Sequence, residues 1–252
     1  MRVALISDIH GNLVSFEAVL ADIHKEHVDR IVFLGDAATL GPQPREVLTR
    51  LQALKCDCIM GNHDAFLVEP ALLSSYTDEP WVTVTTAWCR NQLKPEDFDF
   101  LRTFQPHLEI IMDPEQPQAS KLFCFHGSPR SNVDIIVATT PNKKLKKMLR
   151  GVKTAVMVGG HTHVQMLRQH KGRLLLNAGS VGMPFKQTPF KGPPRILPWA
   201  EYTIVTWLDG VLSVDLRRVP VPLGAVRAAA CASDMPDREE WINNWQVPHE
   251  LW

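Results

Sequence analysis

The chain has 252 residues, of which 45% are hydrophobic, 21% charged and 8% aromatic, enough for a sizeable buried core. That composition excludes pervasive disorder, collagen and coiled coil. Lys plus Arg and Asp plus Glu both total 27, so no global field draws the protein to nucleic acid or an anionic membrane, and any phosphate recognition must be built locally.

At the N-terminus the apolar run Val3-Ala4-Leu5-Ile6 meets Asp8 too soon for the core of an export signal. It reads instead as a buried strand, Arg2–Ser7. Asn12 caps a helix whose apolar residues Leu13, Phe16, Val19, Leu20 and Ile23 follow the helical period. Arg30–Leu34 is a second strand, Pro44 opens a helix carrying Val47, Leu48, Leu51 and Leu54, and Cys58–Met60 ends a third strand. Short buried strands alternating with amphipathic helices predict βαβ crossovers and an α/β fold.

Residues 64–106 change character, with helical patterns around Phe66–Leu73, Trp81–Leu93 and Pro95–Phe104, and read as a helical insertion walling one side of a site. Strand character resumes at Leu108–Met112 and Lys121–Phe125. A basic helix, Pro141–Arg150, precedes the strand Thr154–Val158, and its lysines read as a solvated face. Two hairpins come next: Val164–Arg168 with Arg173–Asn177, turning at Lys171-Gly172, and Tyr202–Leu208 with Val211–Val219, turning at Asp209-Gly210. Residues 1–219 form the expected domain. Residues 220–252 form a tail with one short helix, Asp237–Trp245, whose Trp241, Trp245 and Trp252 bury on the domain or serve a dimer contact or a substrate rim. The five cysteines, odd in number and without a disulfide pattern, suit a reducing compartment, and Cys56-x-Cys58 is read as core packing rather than half a metal site. With no apolar run of membrane-spanning length (about 18 residues), a cytoplasmic protein is expected.

The informative pattern lies just past the end of each strand. The first runs into Asp8-Ile9-His10-Gly11-Asn12, the second into Gly35-Asp36, and the third into Gly61-Asn62-His63-Asp64. Later strands run into His126-Gly127 and Gly159-Gly160-His161-Thr162-His163. Ligands of open α/β sheets bind beyond the carboxyl ends of the strands, so five strand ends bring Asp8, His10, Asp36, Asn62, His126, His161 and His163 together. That mixture of hard and borderline donors exceeds the needs of one tetrahedral ion and suits two ions sharing a carboxylate. The imidazoles favour Mn, with Fe, Zn, Co or Ni as alternatives, over Mg or Ca. Two such ions form the clamp for in-line attack at phosphorus by a bridging hydroxide. This leaves His63 as an outer donor to the phosphate or leaving oxygen, with Asp64 orienting its ring.

Together, Asp8-x-His10, Gly35-Asp36, Gly61-Asn62-His63-Asp64, His126-Gly127 and Gly160-His161-x-His163 resemble the calcineurin-like metallophosphoesterase superfamily. Gly41-Pro42-x-Pro44 and Asn177-Ala178-Gly179-Ser180 are similar to its small bacterial and archaeal branch. The resemblance covers residues 1–219 and departs at Ala37-Ala38-Thr39-Leu40, where relatives often carry a Gly-Tyr-type pair. It implies a four-layer α-β-β-α sandwich of two facing mixed sheets flanked by helices. It also implies one ion on Asp8, His10, Asp36 and His163, a second on Asp36, Asn62, His126 and His161, and a catalytic His63. Asn12 is a candidate for a phosphate oxygen as well as for the helix cap. Arg130, four residues past His126, is a candidate for bidentate pairing with a phosphate as well as a plain surface arginine, and Ser180 for a hydrogen bond to a ligand imidazole as well as a simple turn. The expected activity is hydrolysis of small, nucleotide-type phosphodiesters. The alternatives are a phosphomonoesterase of the same mechanism and a weakly catalytic metal-bearing scaffold; a homo-oligomer is an open partner.

Overall fold

The computed structural model describes residues 1–187 and 194–246. Its first half alternates β1 (Arg2–Ile6), α1 (Leu13–Lys25), β2 (Arg30–Phe33), α2 (Pro44–Leu54) and β3 (Asp57–Cys58). The Asn12 carboxamide accepts from Ser15 N at 3.0 Å, capping α1 as expected. Then come α3 (Asn62–Val68), α4 (Ala71–Tyr76), α5 (Pro80–Gln92) and α6 (Pro95–Leu101). The single pattern expected around Phe66–Leu73 is two helices, because Pro70 has no N–H to continue α3 and serves as the cap of α4. The second half runs β4 (Leu108–Ile111), β5 (Lys121–Cys124), α7 (Asn142–Met148), β6 (Val156–Gly159), β7 (Met166–His170), β8 (Arg173–Asn177), β9 (Trp199–Leu208) and β10 (Val211–Pro220).

The described strands form two five-stranded mixed sheets, ordered β10-β9-β1-β2-β3 and β4-β5-β6-β8-β7. β1 lies parallel to β2 and antiparallel to β9. Side-chain alternation builds the layers. Val3 and Leu5 point into a core between the sheets, where they meet Leu122, Cys124, Val156 and Val158 of the second sheet. Ala4 and Ile6 point the other way, under Phe16 and Val19 of α1 and Val47 and Leu51 of α2. On the far side of the second sheet Phe123 and Phe125 pack against Leu145 and Met148 of α7. Both sheets are thus covered on both faces, which gives the helix–sheet–sheet–helix layering. With Leu5 fully buried, cutting it to alanine costs about 2–5 kcal/mol.

Both hairpins turn where expected, with Lys171 (φ 52°) and Gly172 (φ 75°) in one and Asp209 (φ 49°) and Gly210 (φ 78°) in the other. The third strand is shorter than expected. β3 has two residues; Ile59 N still donates to Phe33 O at 2.8 Å, while Ile59 is bridged to Gln105 and Met60 N donates to Gln105 O. After β10 come α8 (Leu223–Ala232) and α9 (Arg238–Asn243). Val226, Ala230, Met235, Trp241, Ile242 and Trp245 are buried in the core that also holds Phe16. Trp252 lies outside the described residues.

Candidate metal centre

The expected ligands converge at the carboxyl ends of the strands, on loops with an uncommon backbone. Asp8 (φ 54°), His10 (φ 48°), Asp36 (φ 67°), His161 (φ 71°) and His163 (φ 57°) all sit in the left-handed region. Asp and His tolerate that region better than most residues. The excursion turns the chain within two to four residues of a strand and keeps each short side chain at the sheet end. Gly160 permits the close approach of two of these loops, because a Cβ there would collide with Ser7 Oγ and Asp8 Oδ2.

The donors form two groups, buried save for the partly exposed His161. Asp8, His10 and His163 offer ligand atoms within 4.8 Å of one another, and so do Asp36, His126 and His161. In the first, His10 Nε2 lies 3.0 Å from His163 Nε2, and His163 Nε2 lies 3.3 Å from Asp8 Oδ1. In the second, His126 Nε2 lies 3.0 Å from Asn62 Oδ1 and 3.2 Å from Asp36 Oδ2. Asp36 Oδ2 is also 3.8 Å from His10 Nε2, so this carboxylate faces both groups. Its other oxygen accepts from His63 N at 2.9 Å.

The outer contacts settle what these atoms can do. His163 Nδ1 donates to Met183 O at 2.7 Å, and His126 Nδ1 donates to Leu34 O at 2.8 Å. A neutral ring that donates from Nδ1 has only a lone pair at Nε2. His163 Nε2 meets Asp8 Oδ1 and His126 Nε2 meets Asn62 Oδ1 and Asp36 Oδ2, so each place calls for a positive charge, carried by a proton on the ring or by a bound cation in its stead. The same demand shows in the proton equilibria. Burial opposes a charge on His126, yet Asp36 and Asp8 pull the ring up to about 9. Burial alone would raise Asp8, but His163 and His126 hold it at about 2. Burial takes His10 down to about 3, helped by His163, and His161 down to about 3, helped by His126. Two carboxylates, four imidazoles and an amide oxygen, converging in two groups and buried save for His161, fit a pair of divalent ions.

His63 stands beside the cluster, its ring 5.1 Å edge-on from His10 and 5.2 Å from Phe66, with Nδ1 buried and without a partner among the described residues. Burial lowers its affinity for a proton, with Asp36 pulling the other way.

Two expectations need correction. Asp64 does not orient His63; its carboxylate accepts from Asp36 N (2.7 Å), Ala37 N (2.8 Å) and Gly61 N (3.0 Å). His63 and Asp64 are consecutive in α3, and consecutive helical side chains diverge, while a carboxylate in the third helical position reaches back to the cap. Asp64 thus staples the Asp36 loop to the Asn62 loop. Ser180 reaches no imidazole either; its hydroxyl donates to Asp8 O at 2.7 Å and accepts from Met183 N at 2.8 Å. It joins the Asp8 loop to the residue whose carbonyl holds His163. Both ends of the Asn12 amide are engaged within the protein, at Ser15 N and at Gly182 O. Arg130 is exposed at the rim of a cavity of about 260 Å³ that also includes His126, Met60 and Pro106.

Sequence reasoning missed several supports. Thr39 Oγ1 meets His10 Nδ1 at 3.2 Å, and the Asn177 amide binds Gly160 O and Thr162 Oγ1 across the His161–His163 loop. Phe185 stacks on His163 at 4.2 Å. Thr39 and Phe185 belong to no short motif, Asn177 and Thr162 lie in motifs that do not reveal this contact, and Met183 and Leu34 act through backbone carbonyls, which any residue supplies.

Comparison with known proteins gives a consistent picture. The family model for the calcineurin-like phosphoesterase superfamily domain matches residues 1–192. The chain is 28% identical over 179 residues to an uncharacterized protein of Methanocaldococcus jannaschii, covering 71% of this chain and 69% of that one. Among solved structures it is similar to a metallophosphoesterase from Sphaerobacter thermophilus, with TM-score 0.72, 25% identity, and 97% and 98% of the two chains covered. A hypothetical protein from Pyrococcus horikoshii gives TM-score 0.77 at 19% identity, with 96% of each chain covered, and shows the shared fold.

Proposed function

This chain belongs to the calcineurin-like phosphoesterase superfamily, and from that premise we propose that it is a dinuclear-metal hydrolase of small phosphodiesters. The observation that carries the reading is the pair of convergent donor groups facing each other across Asp36 Oδ2. Asp8, His10, Asp36 and His163 would hold one ion, and Asp36, Asn62, His126 and His161 the other, with manganese the first choice. Bound ions of this kind acidify water and neutralise phosphate oxygens.

The chain's own residues do the rest. The Asp36 carboxylate, pinned by His63 N and flanked by backbone held on Asp64, fixes the spacing of the two groups. Met183 O and Leu34 O lock two imidazoles in the tautomer that offers Nε2. His63 carries no metal in this reading and moves a proton to the leaving oxygen of the substrate. Arg130 at the cavity rim pairs with the substrate phosphate, and Asn12, by shaping the loop after His10, acts on substrate only indirectly. A diester is favoured over a monoester because one rim arginine is a sparse anion pocket for a dianion. The cytoplasm is the expected compartment; no helix among the described residues is long and apolar enough to cross a membrane.

The test strips the protein of metal, restores Mn²⁺, Zn²⁺, Mg²⁺ or Co²⁺ separately, and assays each form on an aryl phosphodiester and an aryl phosphomonoester. Diester turnover that requires a transition ion supports the reading. Monoester preference replaces diesterase with phosphatase, and two bound ions without turnover on either ester turn the reading to a scaffold.

A further inference from the structure

The C-terminal segment lies far from the ligands in sequence, yet a continuous chain of contacts joins it to His163. Residues 183–185 hold that imidazole three ways: Met183 O takes the Nδ1 proton, the Phe185 ring stacks on it at 4.2 Å and 20°, and Phe185 N donates to His163 O at 3.0 Å. Phe185 is then bridged antiparallel to Ile196, with Leu197 N donating to Pro184 O at 2.8 Å and Lys186 N to Arg195 O at 3.2 Å. Ile196 in turn spends both of its backbone groups on the tail. Its N–H donates to Asn244 O at 2.8 Å and its carbonyl accepts from Gln246 N at 2.8 Å. Trp245, 4% exposed, lies parallel to Ile196 and edge-on to Trp241 within the core that also holds Phe185 and Ile196.

We infer that the tail is a clasp: Asn244–Gln246 closes the loop that carries Phe185 and so sets the pose of His163, making Phe185 and Trp245 positioning residues for one half of the metal centre. This rests on the ligand assignment proposed above. It reverses the simplest view of the tail, that its removal would affect stability or assembly more than chemistry. In the other half His126 is held by Leu34 O, in the core between the sheets, and among the described residues no tail contact leads to it. The clasp therefore acts on the two ions unequally. Partners that orient a ligand in this way are worth about 10–100-fold in metal affinity.

The experiment titrates the full-length, metal-free protein with Mn²⁺ alone and counts bound ions against free ion for wild type, Trp245→Ala, Phe185→Leu, Trp245→Phe and His163→Ala, each checked for folding by circular dichroism. Wild type should bind two ions. Trp245→Ala and Phe185→Leu should each keep one ion at wild-type affinity and lose about tenfold or more on the other, matching the ion lost in His163→Ala, and Trp245→Phe should restore it. A folded Trp245→Ala and a folded Phe185→Leu that bind both ions as wild type does, or that weaken both alike, overturn the clasp. If Trp245→Ala fails to fold, Phe185→Leu decides alone. Failure of wild type to bind two ions overturns the ligand assignment itself, a result distinct from failure of the clasp.

Discussion

Left-handed backbone serves two opposite purposes in this molecule. At the hairpin tips it is cheap: Gly172 and Gly210 follow Lys171 and Asp209, and a Cβ on Gly172 would meet nothing within 4 Å. At the metal centre five non-glycine residues, Asp8, His10, Asp36, His161 and His163, take the same region together, against one at each hairpin tip, at a cost of about 1–3 kcal/mol each. A turn needs only to reverse the chain, whereas a ligand loop must reverse it and keep a side chain. The strain is held by Asp64, Ser180 and Asn177, which tie the loops to one another through backbone groups.

The sharpest way to break this contrast is to remove the group both ions would share. Asp36→Asn should release both ions together and lower turnover by about 10³-fold or more, read by metal analysis and initial rates; loss of one ion alone would divide the site differently. His63→Ala should keep both ions and lose about 10²–10⁴-fold in rate, with unchanged turnover removing that imidazole from the chemistry. Gly160→Ala pushes its loop away from Ser7 and Asp8 and should cost about 1–3 kcal/mol together with metal affinity, measured by denaturation and metal titration.

Behind the ligand loops, burial pushes the Glu201 carboxyl up to about 7, against the pull of Trp199 and Arg218. Its folded value lies above its ordinary 4.5, so the molecule is unburdened below that pH and loses stability as pH rises through about 7. Glu201→Gln should therefore match wild type at pH 4 and exceed it at pH 8 by on the order of 1–3 kcal/mol, seen as a higher Tm. The smallest effect belongs to the open turn: Gly172→Ala should cost about 1 kcal/mol and leave metal binding untouched.

Much of this was legible because local chemistry and global fold agree. Lys171-Gly172 and Asp209-Gly210 carry their turn geometry in two residues, and apolar runs such as Val3–Ile6 announce strands buried on both faces. The ligand types stood out because Asp, Asn and His beside glycine recur after successive strands. What sequence hid were relations between side chains and distant backbone. Asp64 sits next to His63 in the chain but turns to the amides of Asp36 and Ala37. Helix α8, Leu223–Ala232, was obscured by the prolines at 220 and 222, which read as an ending although Pro222 is its cap. Phe185 and Trp245 are apolar, and nothing local distinguishes packing on a ligand from packing in a core.

The pairing of β1 with β9 has a consequence for how the molecule is made. Arg2 faces Thr206 and Leu5 faces Thr203, so one edge of β1 waits during synthesis for a partner about two hundred residues later. At about 5–20 residues per second that wait lasts on the order of 10–40 s. During it a strand of four fully buried apolar residues, Val3–Ile6, presents an open ladder to any other nascent chain. Asp8 comes directly after that strand, and its carbonyl anchors Ser180 and Gly182. The centre thus cannot assemble from the β1–α3 half alone; it closes only when Ser180 and β9 arrive.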